Sequence, residues 1–370
     1  MRGQFKNAVR IACIYISSVV GAGFASGQEI IKFFTTYYEG GFYGIILAGI
    51  IFAAIGGIVL DRVYVEKINN YDEFIYPTFG KVVGEIVNTV VTLFMLSLFS
   101  IMIAGMSSIL NEKLALSYRL SVVLMACICM LIILGDIRRV TTVSSVITPL
   151  LIAGIVIIGL YIIVFKDTSV FSIIGLLRNK SDNWFISSLL YVSYNSILSV
   201  LVLCNLLPYL KSRKSAKWGG VLGGLVLCLI TLILNATINL FHPKFTTGEI
   251  PMLDIVERYS RVLSYVYTFV LWLAMLVSAV NSGFCLVERV SSKLNMNIRT
   301  ITVIACIVVI PLSCVGFSGL IASIYPMFGY IGLFILTVII FQWAREIFRK
   351  GNGKSKKIKY CKQNKKIEQT

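Results

Sequence analysis

Charge is what this sequence has least of. Of its 370 residues only 14% are Asp, Glu, Lys or Arg, against about 25% in a soluble globular domain, and mean hydropathy stands at +0.86. A water-soluble globule is excluded. Histidine is nearly absent: His242 is the single one, so a histidine-built metal or catalytic site has nothing to be made from. Neither a His-Glu-x-x-His nor a Gly-x-Ser-x-Gly pattern occurs, and no paired-carboxylate motif does, so the chain is not read as an enzyme. Eight of its nine cysteines are scattered through apolar runs and the ninth, Cys361, stands near the C-terminus, and no disulfide framework or metal cluster emerges from them. A channel finds no support either, for there is no ring of like charges and no filter-type repeat.

What is present is apolar length. At about 20 residues per crossing, ten runs qualify: 8–34, 41–60, 82–110, 118–135, 140–165, 184–207, 218–241, 260–287, 298–315 and 320–343. They predict an all-α polytopic membrane protein with about ten transmembrane helices in a single domain, 1–345, followed by a basic tail, 346–370. The tail supplies much of the net charge of +17. Directly after a spanning helix, such a tail suits anionic lipid headgroups or simply marks a cytoplasmic end, and nucleic acid is not expected as a partner. Lys and Arg are richer in one set of alternate loops, with Arg62, Lys67 and Lys81, Lys211, Arg213, Lys214 and Lys217, and Arg289, Lys293 and Arg299. The other set holds fewer, among them Lys32, Lys113, Arg119, Lys166, Arg178 and Lys180. This asymmetry predicts a multi-pass protein of the cell membrane with both termini cytoplasmic. An N-terminal signal peptide ending near Gly23 and Ala25 is the alternative, but apolar character resumes at Ile30, Ile31, Phe33 and Phe34 as it does in an interrupted helix.

The first run is unusual at its middle, where SSVVGAGFASGQE occupies Ser17 to Glu29. Glycines 21, 23 and 27 weaken a helix there. A broken helix at membrane depth leaves backbone groups unpaired, which is tolerated only inside protein or beside a watery cavity. It presents amides to an anion and carbonyls to a cation, making Gly21, Ala22, Gly23 and Phe24 candidate substrate-binding residues. Close packing of a neighbour on Gly23 and Gly27 is the alternative. The sixth run carries a second polar cluster, Ser193, Tyr194, Asn195 and Ser196, and Tyr-x-Ser recurs at Tyr15/Ser17 and Tyr191/Ser193. Runs one and six each open a set of five, as an inverted five-plus-five repeat requires, so repeat one is expected at about 8–165 and repeat two at about 184–343, with helices 1 and 6 interrupted. Back-bonding of those hydroxyls and of the Asn195 amide to helix carbonyls is the alternative for run six.

The run GAGFASGQEIIKFF from Gly21 to Phe34, with ten helices around it, resembles the YkvI-like family of uncharacterised bacterial membrane proteins, related to the amino acid, polyamine and organocation transporters of LeuT-type fold. The resemblance implies a site where helices one, three, six, eight and ten meet. It implies a sodium ion, a possible coupling ion and the one cofactor-like group, between the carbonyls of Ser17 and Val20 and the SAVNSG run of helix eight, at Ser278, Asn281 and Ser282. Asn281 departs from the hydroxyl commoner at its position, and polar glue between helices one and eight is the alternative. Proton-coupled relatives use a core ionisable group. Run five has Thr141, Thr142, Ser144, Ser145 and Thr148 but no lysine there, which leaves Glu29 as the candidate proton site unless it reaches outer water or pairs with Lys32. Phe24, Tyr191 and Tyr194 are candidate gates. Ser97, Ser100, Tyr325, Pro326 and Gly329 are candidate lining, and the loop from His242 to Arg258 is a candidate cover for the outer entrance.

These observations together predict a secondary transporter of a small organic solute, an amino acid or similar zwitterion, coupled to sodium by alternating access, with the bilayer and the solute as its partners. A solute sensor on a transporter fold without flux, or a proton-coupled carrier using Glu29, are the alternatives.

Overall fold

The structure, a computed structural model, describes residues 2–135, 137–165, 183–241 and 248–367, and over 137–148 and 346–367 it gives the backbone path alone. His242, Lys166, Arg178 and Lys180 therefore lie outside the described residues, as do the side chains of Thr141, Thr142, Ser144, Ser145 and Thr148 and those of the basic tail. The described chain is helical. Its first part comprises α1 (Arg2–Val19), α2 (Ala22–Ser26), α3 (Gln28–Phe33), α4 (Glu39–Glu66), α5 (Tyr71–Leu114), α6 (Tyr118–Leu134) and α7 (Ile137–Phe165). The second comprises α8 (Trp184–Cys204), α9 (Arg213–Asn239), α10 (Pro251–Glu257), α11 (Arg261–Leu294), α12 (Ile298–Ser313) and α13 (Phe317–Ile367).

Six of these are long and apolar enough to cross a membrane: α4, α5, α8, α9, α11 and the Phe317–Arg345 part of α13. Shorter apolar helices stand at Tyr118–Leu134, Ile152–Val164 and Ile298–Ser313. Large side chains such as Val82 and Val262 stand about three-quarters exposed, an arrangement stable against lipid rather than water.

Local sequence sets the helix ends. The Asn70 side chain accepts the Glu73 amide at 2.9 Å while the Glu73 carboxylate accepts the Asn69 amide at 2.7 Å, so orphan donors at the start of α5 are satisfied from both directions. Ser212 and Ser215 close a capping box on α9. Within α5 the backbone leaves helical geometry at Gly80, φ +75°, a conformation that costs an L side chain strain. The long apolar stretch read at 82–110 begins just beyond it.

Helices in lipid gain little from hiding apolar surface against one another, so close backbone approach has to hold them together. The contact of α4 with α9 shows this. Faces carrying nothing larger than a methyl meet at Gly56, Gly220, Ala53 and Gly224. Tyr15 of α1 lies across the same seam and donates its hydroxyl to the Phe52 carbonyl at 2.9 Å. At the loop end of that seam Arg213 grips Asp61 with two nitrogens, at 2.6 and 2.9 Å. α1, α4, α8 and α9 thus pack as one set, with α13 against α8, while α5, α6, α11 and α12 pack as another. The central cavity lies between the sets.

Candidate functional site

The break in the first run is real, and it is double. α1 stops at Val19, and Gly21 is extended. The Gly21 amide, which in a continuous helix closes onto the Ser17 carbonyl, donates instead to Val19 at 3.0 Å. A second bend falls at Gly27, φ +87°, where a Cβ would stand a tight 3.0 Å from Ile238 and 3.2 Å from Met252. Only the second turn rests on glycine's access to a left-handed backbone, since Gly21 holds an extended conformation open to any residue.

The run-six expectation is corrected. α8 is an unbroken helix from Trp184 to Cys204. Ser193 Oγ donates to the Leu189 carbonyl at 2.6 Å and Asn195 Nδ2 to the Tyr191 carbonyl at 3.0 Å, so the polar side chains bond back to their own helix one turn earlier. With no glycine or proline in that cluster, nothing opens the backbone.

A cavity of about 260 Å³ lies against the first break. Ser17, Gly21 and Gly23 line it from the broken helix, Tyr194 and Asn195 from α8, and Ser278, Asn281 and Ser282 from α11, and Tyr325 closes it from α13. The remaining wall is apolar, with Phe94, Met95, Leu98 and Met102 of α5 facing Leu198, Leu201 and Val202 of α8. Several residues singled out from the sequence stand elsewhere. Val20 and Phe24 are buried in the core and do not line the cavity. Tyr191 packs on Phe33, Phe34 and Phe52, and the Ser193 carbonyl backs onto Gly332 of α13. The side chain of Ala22 lies outside the described residues. Ser97 is half-buried with its hydroxyl on the Leu93 carbonyl, and that of Ser100 turns to the Leu96 carbonyl.

Glu29 closes the blind end. It neither reaches open water nor pairs with Lys32: it is 4% exposed, and the Tyr194 hydroxyl donates to its Oε2 at 2.5 Å. Tyr325 supplies a second phenolic hydrogen bond, and the rings of Tyr194 and Tyr325 stack at 4.5 Å. The bends fold the carboxylate back over the first break, so close that a Cβ on Gly23 would stand 2.3 Å from its Oε1. Among the described lining residues Glu29 carries the sole charge, and no described ion pair includes it.

Beyond Glu29 hydrogen bonds tie the described segments together. Gln28 Nε2 donates to the Gly248 carbonyl at 2.9 Å, and Glu249 accepts the Ser318 amide at 2.8 Å. The segment ahead of α10 is thereby tied to both α3 and the start of α13. The Tyr267 hydroxyl donates to the Ala25 carbonyl at 2.6 Å, fully buried. Tyr267→Phe is expected to lower stability by about 1 kcal/mol, because that carbonyl at the end of α2 loses its partner, and a thermal melt of the purified protein checks it. At the opposite end Met95, Leu201 and Cys285 are shared with a second cavity lined by Asn70, Asp72, Asn205, Glu288 and Arg289. The site faces the end of the bundle that carries the α4–α5 loop.

The apolar wall and the tie at Gln28 went unread in the sequence. A leucine facing a cavity and one facing lipid carry the same local signal.

A helical membrane bundle with a discontinuous first helix over a central cavity has the architecture of LeuT-type secondary transporters, and the solved structures this chain is similar to belong to that class. The manganese transporter of Eremococcus coleocola superposes with a TM-score of 0.61 at 12% identity, over 91% of this chain and 79% of that one. Mhp1 in its inward-facing conformation gives 0.56 at 13% identity over 88% and 73%. A Na+-coupled sialic acid symporter, substrate-bound and outward-open, gives 0.56 at 15% over 89% and 78%. By sequence the chain is similar to the uncharacterised membrane protein YkvI of Bacillus subtilis, 27% identical over 345 residues that cover 90% of this chain and 95% of that protein. It is also similar to the uncharacterised protein YyaD of the same organism, 25% identical over 327 residues, 88% and 94% of the two chains. No family model matches the sequence.

Proposed function

We propose that this chain is a secondary active transporter of a small organic solute, working by alternating access, and that it belongs with YkvI in one family related to the amino acid, polyamine and organocation transporters. The observation that carries the reading is the break of the first helix at Val20 and Gly21, opening onto a cavity between two packed sets of helices. Such sites form where discontinuous helices meet in transporters built from inverted repeats. The division into α1, α4, α8 and α9 on one side and α5, α6, α11 and α12 on the other supports ten crossings in two sets of five, since each set draws corresponding helices from both halves. The basic-rich end would be cytoplasmic, and both termini would lie there. The conformation would then be inward-facing, since the cavity leads toward Asn70 and Arg289.

Sodium is the proposed coupling ion. Ser17, Ser278, Asn281 and Ser282 line one wall, offering the neutral oxygens a hard cation prefers, and the turned-away Gly21 amide leaves the Ser17 carbonyl without its helical donor. A proton on Glu29 is the second reading, favoured by a buried carboxylate held by phenols rather than by a cation. Manganese is not carried over from the structural neighbour, for among the described residues no group of three or more His, Cys, Asp and Glu side chains is placed to hold a metal ion.

Solute counterflow in proteoliposomes tests the reading. Exchange of a labelled solute from a panel of amino acids and amines is expected, and binding without exchange would select a sensor. Ser282→Ala is expected to weaken the apparent sodium affinity by about tenfold, equivalent to about 1.4 kcal/mol. An unchanged sodium dependence would move the coupling to Glu29.

A further inference from the structure

The cavity holds one kind of charge, and the solute has to answer it. Glu29 is 4% exposed, bonded by two phenols and backed by glycine at position 23. Two neutral hydrogen bonds offset only part of what an ionised carboxylate loses on leaving water; the remainder is recovered by a cation placed against it. The stacked rings of Tyr194 and Tyr325, with Phe94 at 6.3 Å from Tyr194, add aromatic faces, which attract cations. No lysine, arginine or histidine is among the described lining residues, so the carboxylate of a zwitterion would meet no cationic side chain there, only the backbone at the first break. From that charged corner the cavity runs on between aliphatic and thioether side chains, including Met95, Met102, Leu198 and Val202. Against that side a polar group would lose its hydration without replacement, the oxygens of Ser17, Ser278, Asn281 and Ser282 belonging to another wall.

We propose that this site binds an organic cation: a primary ammonium group on Glu29, framed by Tyr194 and Tyr325, with an apolar body lying along α5 and α8 and no carboxylate of its own. The inference rests on the transporter reading above and narrows its solute from zwitterions to amines.

Sets of probes matched in size and differing in charge test it on the purified full-length protein by thermal stabilisation, since a ligand that binds the folded state raises its melting point. One set is phenethylamine, phenylalanine, 3-phenylpropionate and phenethyl alcohol. The second runs from propylamine to hexylamine beside the corresponding alcohols. A saturable upward shift is expected with phenethylamine or with members of the alkylamine series, and not with phenylalanine, the carboxylate or the alcohols. Glu29→Gln, nearly isosteric, is expected to weaken amine binding by at least about tenfold while eluting as the wild type does on gel filtration, and Tyr325→Phe is expected to weaken it less. The proposal is overturned if phenylalanine stabilises as well as phenethylamine, if the alcohols match the amines, if neither amine series shifts the melt, or if Glu29→Gln binds amine unchanged. The charge comparison on wild-type protein stands even where a variant fails to fold. Flux separates the two readings: an amine that binds but does not exchange across vesicles upholds the cation site and sinks the transporter, whereas exchange of phenylalanine with no amine binding does the reverse.

Discussion

Gly23→Leu is expected to abolish solute binding and uptake while the protein still inserts and purifies. The position is filled already at the first carbon: a Cβ there would lie 2.3 Å from Glu29 Oε1 and 3.1 Å from the Tyr325 hydroxyl. Leucine adds three more carbons in the corner where carboxylate, phenols and helix break converge. Glu29 must leave its phenolic partners to make room, and the cavity loses its polar end. A loss of binding of at least about 100-fold, about 2.7 kcal/mol, is the expected size. Most of the helical seams lie away from this corner, which is why folding should survive. Membrane yield and gel filtration, measured beside counterflow, separate loss of the site from loss of the protein, and full transport by the variant would remove the break from the mechanism.

Gly224→Val is expected to act in the opposite way, destroying the protein rather than its site. A Cβ at position 224 would stand 2.2 Å from the Ala53 amide nitrogen and 2.5 Å from its Cα. Those are backbone atoms in the middle of α4, so no side chain can swing aside, and the two helices would have to separate along the seam that also holds Tyr15. Overpacking by a methylene or two costs about 1–3 kcal/mol where neighbours can adjust. Here the backbone cannot, and the expected loss exceeds about 3 kcal/mol, seen as aggregation on extraction or collapse of the melting temperature. Gly57→Ala is the control, because its nearest neighbour is a Val221 methyl at 3.4 Å, and it should melt close to wild type. Equal damage from both would show that the seam is governed by something other than backbone approach.

The two polar clusters of runs one and six show how far local reading reaches. Both interrupt apolar stretches, and the sequence alone predicts a broken helix at each. Only the glycine cluster does. At Gly27 glycine permits a φ of +87° that other residues resist, whereas the glycines of α4 and α9 stay helical, so glycine marks where a helix can bend and packing decides whether it does. Serine and asparagine merely offer side-chain hydrogen bonds, and in α8 they spend them on carbonyls of the preceding turn. The candidate sodium wall was legible in part: Ser17, Ser278, Asn281 and Ser282 share the cavity, while Val20 faces the core.

The sequence by itself determined the membrane class, the positions of the apolar stretches and the place of the first-helix break, because length, hydropathy and the run of small and polar residues from Ser17 to Glu29 are properties of neighbouring residues. Only the tertiary structure decided that Glu29 is a buried corner of the site rather than a residue at a helix end. Its hydrogen-bond partner Tyr194 lies 165 residues away in the chain, and Tyr325 farther still. Such a meeting depends on which helix faces pack together, through contacts such as the glycine seam of α4 and α9, and no local pattern of residues specifies that choice.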